Sequence, residues 1–166
     1  PLEEKTVYYE NWVKGYRHIL KPMNIKDVRG NYTFSMLNKS YELKVEGDTK
    51  DIKGDEHRLL QLFNNLLQNS LRYTDSPGRI LVTVRYGRHK VRCTWEDTSP
   101  GVAPENINKL FDRLFREDQS RNRSSGGSGL GLAICKKIVE AHQGKIYAQA
   151  SSLGGLKTVI EFPEIN

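Results

Sequence analysis

Apolar side chains recur along the chain at two spacings: every three or four residues in some segments, and every second residue in others. These segments are the predicted helices and strands. Residues 7–20 carry aromatic and aliphatic side chains every three or four positions, which predicts a helix. Residues 31–36 and 41–46 alternate apolar and polar side chains, and the four residues between these runs predict an antiparallel hairpin. The chain is therefore expected to open with one helix and two strands.

The middle of the chain repeats this order. Asp55 suits the N-cap of a helix that reaches about Tyr73, because its carboxylate accepts hydrogen bonds from free N–H groups at a helix start. The apolar side of this helix consists of Leu59, Leu62, Phe63, Leu66, Leu67 and Leu71. Alternating residues at 79–86 and 91–96 predict a second hairpin.

The last third contains two predicted helices and two predicted strands. Residues 104–115 are expected to form a helix, since a proline stands at its first position. Residues 116–129 are polar and rich in glycine, which predicts a loop. A helix at 130–142 and strands at 145–151 and 156–162 complete the pattern. Paired strands with helices between the pairs favour an α/β sandwich with helices on one face of an antiparallel or mixed sheet.

Charge and composition limit the classes of partner that this chain is expected to bind. The net charge of +6 favours an anionic partner: nucleic acid, an anionic membrane or a phosphate-bearing ligand. The charge is spread as +1 over 1–55, +3 over 56–104 and +2 over 105–166, so no segment is a basic tail. No apolar run approaches the roughly 20 residues of a membrane helix, and no signal peptide is visible. Two cysteines without metal-ligand spacing fit a reducing, cytosolic setting.

Asn65 and Asn69 lie four residues apart and therefore share one face of the middle helix. Asparagine is a poor helix former, so the pair invites a functional explanation. An amide oxygen suits Mg²⁺ that is already bound to phosphates, whereas a solvated polar face explains the same pattern without a ligand. Arg72 and Tyr73 would add a cation and a hydroxyl for phosphate oxygens, although Arg72 alone also fits a surface arginine.

Asp97 ends a strand and enters the turn DTSPG, where its carboxylate either caps the turn or accepts a hydrogen bond from the amino group of a base. Further on, GGSGLGL (126–132) opens a helix, so its flexible backbone and free N–H groups suit a phosphate. It is neither a Walker loop nor a G-x-G-x-x-G motif, and a flexible linker explains its two leucines poorly. The arginines of the loop before it either form a lid over a polyphosphate or are simply solvated.

In this order, the segments resemble the ATP-binding catalytic domain of sensor histidine kinases, which shares a superfamily with DNA gyrase, Hsp90 and MutL. FNNLLQNSLRYT is similar to the N box, DTSPG to the first glycine box, LFDRLFR to the F box and GGSGLGLAICKKIVEAHQGKI to the second glycine box with its helix. The resemblance covers about residues 52–163 and is closest to envelope-stress sensors of the BaeS type.

The resemblance implies a Bergerat-type ATP-binding fold of the α+β class. In this two-layer α/β sandwich, a mixed, mostly antiparallel sheet of about five strands is covered on one face by three helices. The ATP-binding core would span residues 51–166 with an ATP lid at about 113–128. Residues 1–50 would add an N-terminal helix and β-hairpin to the same domain.

The resemblance also implies Mg²⁺ and ATP as cofactors, with ADP as the product. Asn69 would ligate Mg²⁺, and Asn65 would lie beside it near the phosphates. Asp97 would accept the adenine amino group, and Thr158 would reach adenine through water. The full set of implied ATP-binding residues is Asn65, Asn69, Arg72, Tyr73, Asp97, Gly101, Arg116, Ser120, Arg121, Arg123, Gly127, Ser128, Gly129, Leu130, Gly131 and Thr158.

Two departures from the family pattern affect the expected chemistry. Ser99 stands where the first glycine box has a glycine, so the backbone near the base is less free. In ATP-hydrolysing relatives the N box begins with a glutamate that activates water, and Asn65 takes that place here. An amide cannot act as a general base at neutral pH, so slow hydrolysis and transfer to another acceptor are expected.

The expected acceptor is a histidine on a dimerisation domain of the same or a partner kinase chain, with a response regulator as an indirect partner. None of the four histidines has the surrounding sequence of such an acceptor, and His57, His89 and His142 are expected at the surface. The fragment is expected to be monomeric and soluble, the parent kinase a homodimer, and this domain the cytoplasmic part of a bacterial inner-membrane sensor.

Two other functions remain open at this point. One is a nucleotide-binding regulatory module without phosphotransfer, such as an anti-sigma-like domain. Ser99, in place of the usual glycine, supports it. A nucleic-acid-binding domain draws only on the pI of about 9.3, and it would show steeply salt-dependent DNA binding.

Overall fold

The computed structural model describes residues 30–36, 39–48, 52–98, 100–116 and 129–164. Its elements are strands β1 (Gly30–Met36), β2 (Lys39–Gly47), β3 (Gly78–Gly87), β4 (Lys90–Thr98), β5 (Lys145–Ala150) and β6 (Gly154–Pro163), helices α1 (Glu56–Tyr73) and α2 (Gly131–Ala141), and a 3₁₀ helix at Pro104–Lys109. The helix predicted at 7–20 and the lid residues 117–128 lie outside the described residues.

The strands form one mixed sheet in the order β1-β2-β3-β4-β6-β5. Every neighbouring pair is antiparallel except β2 and β3, which are parallel. Parallel strands need a crossover connection, and α1 supplies it between these two. The predicted mixed, mostly antiparallel sheet is thus confirmed. Its described strands number six because both strands of the N-terminal hairpin take part in it.

The two α-helices pack together on one face of the sheet, as predicted. The alternating inward residues of the strands and the leucine stripe of α1 share one core, and burying a leucine of this kind stabilises the fold by about 1.5–3 kcal/mol. Asp55 caps α1 as expected, because Arg58 N–H donates to its Oδ1 at 3.0 Å. The hydrophobic effect therefore fixes α1 against the sheet, and the cap fixes where α1 begins.

The helix predicted over 104–115 is wrong in length and type. A 3₁₀ helix ends at Lys109, and the chain continues in turns to Arg116. Leu114 has a left-handed φ of 63°, and its N–H donates to Gly129 O at 3.1 Å instead of to a carbonyl one helical turn back. A tertiary hydrogen bond has replaced a helical one, so the proline marked where a helix begins but not how far it extends.

Cys93 and Cys135 are both free and buried, in agreement with the absence of a predicted disulfide framework. Burial raises the pKa of each thiol to about 12, so both remain protonated at neutral pH. Cys135 Sγ also lies 3.7 Å from Leu62 O, to which it donates. These two residues act as small apolar side chains of the core.

Candidate functional site

Asp97 lies near the end of β4, opposite a β-bulge in β6. The register of β4 and β6 shifts by one between Glu96 and Thr98, so that Gly155 and Leu156 of β6 both face Asp97. A bulge bends the strand locally and re-aims a side chain. Here it brings Leu156 N–H to 2.9 Å from Asp97 Oδ1, to which it donates. One carboxylate oxygen is therefore fixed by the backbone of the neighbouring strand.

The other carboxylate oxygen of Asp97 is held by α1. Ser70 Oγ donates to Asp97 Oδ2 at 2.6 Å, and Trp95 Nε1 donates to Ser70 Oγ at 3.0 Å. Asp97 is 7% exposed and Ser70 1% exposed. Each carboxylate oxygen can accept two hydrogen bonds, so each retains one acceptor position after these contacts. The carboxylate is thus rigidly oriented and can still accept hydrogen bonds from a ligand.

Burial raises the pKa of Asp97 above its ordinary value, and the nearby Glu96 charge raises it further. The hydrogen bonds from Ser70 and Leu156 act in the opposite direction, because they stabilise the ionised form. A turn cap at the surface would have no such desolvation. The buried setting favours the second of the two roles considered for Asp97, that of an acceptor for a ligand amino group.

Two glycines leave room beside Asp97. A Cβ atom on Gly155 would lie 2.4 Å from both Asp97 O and Asp97 Oδ1, so no larger residue fits there. Gly101 has a φ of 73°, a left-handed conformation that favours glycine, and its Cβ would lie 3.0 Å from Gly154 O. The predicted Gly101 is therefore close to the bulge, whereas Gly155 was not singled out from the sequence.

Thr158 is 3% exposed and lies in the same part of the sheet. It pairs with Trp95 on β4, whose ring reaches Ser70. Side chains of paired residues point to the same face, so Thr158 shares the inward face with the Asp97 cluster. Thr158 and Asp97 therefore lie on one face of the sheet, and the role of Thr158 at adenine stays a prediction.

Asn65 connects α1 to the start of α2. Its Nδ2 donates to Gly131 O at 3.3 Å, and a Cβ on Gly131 would lie 4.0 Å from the Asn65 amide carbon. Asn69 follows one turn later on the same helix and is half-buried, while Arg72 and Tyr73 are exposed at its end. Of the predicted polar face of α1, Asn65 thus lies at the beginning of α2.

The beginning of α2 has the properties of an anion site. Leu130 precedes the helix, and among the described residues no side chain caps it, so its first N–H groups can donate to a ligand. The helix dipole adds partial positive charge at this end. The predicted Gly129, Leu130 and Gly131 all lie here, and Gly129 has a left-handed φ of 71°. Asn65 lies at this end of the helix too, because its Nδ2 donates to Gly131 O.

The hydrogen bond from Leu114 N–H to Gly129 O joins the two ends of the predicted lid segment. Arg116 is half-buried at the first of these ends. The other predicted lid residues, Ser120, Arg121, Arg123, Gly127 and Ser128, and also Ser99 of the first glycine box, lie outside the described residues. Within the described residues, the structure therefore fixes the base of the lid.

Ser70 and Trp95 complete the hydrogen bonds around Asp97, and neither was among the predicted site residues. The signal for Ser70 was present: it is a polar residue in the leucine stripe of α1, four positions after Leu66. A buried hydroxyl in such a stripe needs a polar partner on the opposing element. That partner is Asp97.

A buried, oriented carboxylate suits the amino group of a base, and the N-terminus of α2 suits phosphate. Residues 54–166 match the family described as histidine kinase-, DNA gyrase B-, and HSP90-like ATPase. The chain belongs to this family, and it is similar to the catalytic domain of histidine kinases. The resemblance found in the sequence is thus confirmed.

The similar proteins are sensor kinases. The chain is 53% identical to the signal transduction histidine-protein kinase BaeS of Escherichia coli K12 over 70% of this chain and 25% of that protein. It is 40% identical to the sensor histidine kinase CusS of Escherichia coli K12 over 76% of this chain and 26% of that protein. The chain therefore spans about a quarter of the length of these relatives.

Solved structures show the same fold. The catalytic domain of histidine kinase ThkA superposes with a TM-score of 0.70 at 25% identity, over 98% of this chain and 93% of that one. ThkA in complex with the response regulator protein TrrA matches with a TM-score of 0.65 at 25% identity, over 97% of this chain and 40% of that one. Among the described residues, no helix is long and apolar enough to cross a membrane, and no three His, Cys, Asp or Glu side chains form a metal cluster.

Proposed function

We propose that this domain binds Mg-ATP between α1, α2 and the β4–β6 bulge and donates the γ-phosphate to a histidine on a separate dimerisation domain. The observation that carries the proposal is the pair of features at the two ends of the site. Asp97 is buried and oriented for a base amino group, and the N-terminus of α2 suits phosphate. ATP is a ligand whose two ends match both features.

In this proposal, Asp97 accepts the adenine amino group, and Thr158 contributes to the same end through water. Gly101 leaves the backbone free to approach the ring, and the remaining glycines near α2 do the same for the phosphates. Arg72, Tyr73 and Arg116 supply a hydroxyl and two cations for phosphate or sugar. The lid residues Ser120, Arg121, Arg123, Gly127 and Ser128 close over the triphosphate.

Mg²⁺ fits the donor set of the polar face of α1. Asn69 is half-buried on α1, one turn after Asn65, and its amide oxygen is a hard, neutral ligand. Asn65 donates through Nδ2 to Gly131 O, so its amide oxygen is not used in that contact. The ion would supply positive charge that offsets the charge of the phosphates. Asn69 is the proposed ligand, and Asn65 its neighbour.

Asn65 also sets the proposed reaction class. A carboxylate at this place would activate a water molecule, whereas an amide has no basicity at neutral pH. The site therefore positions the γ-phosphate and stabilises its charge without activating water. Transfer to an incoming histidine is favoured over hydrolysis.

The whole protein is proposed to be a bacterial inner-membrane sensor kinase, homodimeric, with this domain on its cytoplasmic side. The acceptor histidine then lies on the dimerisation domain of the same or a partner chain, and a response regulator receives the phosphoryl group next. The names of the relatives support this proposal. They do not favour a regulatory module without phosphotransfer.

Calorimetric titration with ATP tests the nucleotide part of the proposal. We expect binding below millimolar ATP, with tighter binding when Mg²⁺ is present. Asn69→Ala should remove most of the Mg²⁺-dependent gain and leave the Mg²⁺-free affinity close to that of the unmodified domain. Asn64→Ala, on the neighbouring face of α1, is the control. No binding at millimolar ATP contradicts the proposal.

Phosphotransfer is tested separately with radiolabelled ATP and the helical acceptor domain of a similar kinase. A label that is stable in base and labile in acid, as expected of phosphohistidine, supports transfer. Nucleotide binding without any label on the acceptor contradicts the kinase reaction and supports the regulatory alternative.

A further inference from the structure

The bulge that orients Asp97 is held from the opposite face of the sheet by two residues outside the nucleotide site. Neighbouring residues of a strand point to opposite faces, so Glu96 points away from the helices when Asp97 points towards them. Glu96 Oε2 accepts a hydrogen bond from Ser151 Oγ at 2.7 Å. Both residues are buried, Glu96 at 8% and Ser151 at 9% exposure. A buried polar pair of this kind is costly to leave incomplete.

Ser151 fixes the turn between β5 and β6 through four hydrogen bonds. Its Oγ donates to Glu96 and also accepts from Leu153 N–H at 3.0 Å. Its N–H donates to Gly155 O at 2.9 Å, and its carbonyl accepts from Gly154 N–H at 3.0 Å. Ser151 therefore connects the turn and the first two residues of β6 to Glu96 on β4.

The turn controls the bulge because it is only a few residues away. Gly155 lies directly against Asp97, and the next residue, Leu156, donates the backbone hydrogen bond to Asp97 Oδ1. The residue after Leu156, Lys157, also contacts Glu96: Lys157 Nζ lies 3.3 Å from Glu96 Oε1. Glu96 therefore contacts the chain on both sides of the two bulge residues.

We propose that Glu96 and Ser151 are positioning residues that hold the β6 bulge against Asp97 and so determine the preference of the site for adenine. The inference rests on the proposed function, since it assumes that Asp97 accepts the adenine amino group. Neither residue contacts the nucleotide in this proposal. Their effect reaches the base through Gly155 and Leu156.

The test compares two nucleotides that differ only in the group Asp97 would recognise. Purine riboside triphosphate lacks the amino group of ATP and is otherwise the same. Dissociation constants for both are measured with the unmodified domain and with Ser151→Ala and Glu96→Gln. We expect about three- to tenfold weaker ATP binding in each variant, the size of one lost hydrogen bond, with less than about twofold change for purine riboside triphosphate.

Glu161→Gln is the matched control. Glu161 is 8% exposed like Glu96, lies on the same outer face of the sheet and accepts from Arg92 Nη2 at 2.6 Å. Its pairs lie towards the other end of β6, away from the bulge. This variant should lose stability while it keeps the unmodified discrimination between the two nucleotides.

The outcomes separate this inference from the proposed function. An unmodified domain that binds neither nucleotide, or both equally, overturns the adenine role of Asp97 and the inference with it. An unmodified domain that discriminates, with the same discrimination in Ser151→Ala and Glu96→Gln, overturns only the positioning role. A uniform loss of affinity for both nucleotides also overturns it, because it indicates a general structural defect. A selective loss for ATP in both variants, with Glu161→Gln unaffected, supports it.

Discussion

At the residue scale, the buried carboxylate of Asp97 is the part of the site with the clearest physical consequence. Its two oxygens are already fixed by Ser70 and Leu156, and burial raises its pKa. An ionised, desolvated carboxylate reduces stability unless a ligand or hydrogen bonds compensate for it. The buried, ionised form of Asp97 therefore favours ligand binding and disfavours the stability of the fold.

Asp97→Asn should separate these two effects. The amide oxygen can still accept from Leu156 N–H, and the amide nitrogen can donate to Ser70 Oγ, which has a free acceptor position. The fold should persist, while ATP affinity should fall by about tenfold or more, because an N–H group would face the adenine amino group. ATP titration measures the affinity, and unchanged affinity contradicts the proposed role.

The difference in stability between the unmodified domain and Asp97→Asn should depend on pH, and the raised pKa of Asp97 fixes its sign. Because the folded-state pKa of Asp97 is raised, the folded protein binds more protons than the unfolded one between the ordinary and the raised value. The unmodified domain should therefore lose stability relative to Asp97→Asn as pH rises through that window, and the difference should stay constant above it. Urea unfolding at a series of pH values measures this difference. An unmodified domain that gains stability relative to Asp97→Asn as pH rises would contradict the assigned pKa direction.

At the element scale, the sequence predicted the elements whose signal is local. The leucine stripe and the Asp55 cap gave α1, and alternation gave the strands of the sheet. It did not predict the bulge in β6 or the 3₁₀ helix after Pro104, because both depend on partners far along the chain. Leu114 bonds to Gly129, and no local pattern encodes that contact.

His142 shows the same limit, because it was expected at the surface and is instead a half-buried link between two helices. Its Nδ1 is 2.7 Å from Ile138 O, and Asp55 N–H donates to its Nε2 at 2.9 Å. A carbonyl can only accept, so Nδ1 carries the hydrogen and the ring is neutral in this arrangement. The end of α2 and the start of α1 are therefore joined by one tautomer of one side chain.

His142→Ala should lower the free energy of unfolding by about 1–3 kcal/mol, because it leaves the Asp55 N–H without its acceptor and removes the ring contact with Phe162. His57→Ala is the control: His57 is exposed on the first turn of α1, and its loss should change stability by less than about 0.5 kcal/mol. Urea unfolding compares the two variants. Equal effects would show that the link between the helices contributes nothing.

At the scale of the whole molecule, the net charge of +6 suggests an anionic partner but does not identify one. Several cations are paired within the outer face of the sheet: Arg92 and Lys90 with Glu161, and Lys157 with Glu96. The order of the motifs, and not the total charge, indicated ATP. The positions of the lid residues could not be derived in the same way, because a glycine-rich loop has no apolar pattern to fix it.

Thermal unfolding can compare the two kinds of anionic ligand directly. A ligand that binds only the folded state stabilises it by about 2.7 kcal/mol at about a hundred times its dissociation constant. For a chain of this length that corresponds to a rise in Tm of about 5–10 °C. We expect this rise with Mg-ATP, a smaller one with ATP and a chelator, and none with duplex DNA at about 0.15 M salt, because charge spread over the surface binds DNA weakly there. A rise with DNA that vanishes as salt increases, together with none for Mg-ATP, would instead assign the charge to nucleic acid.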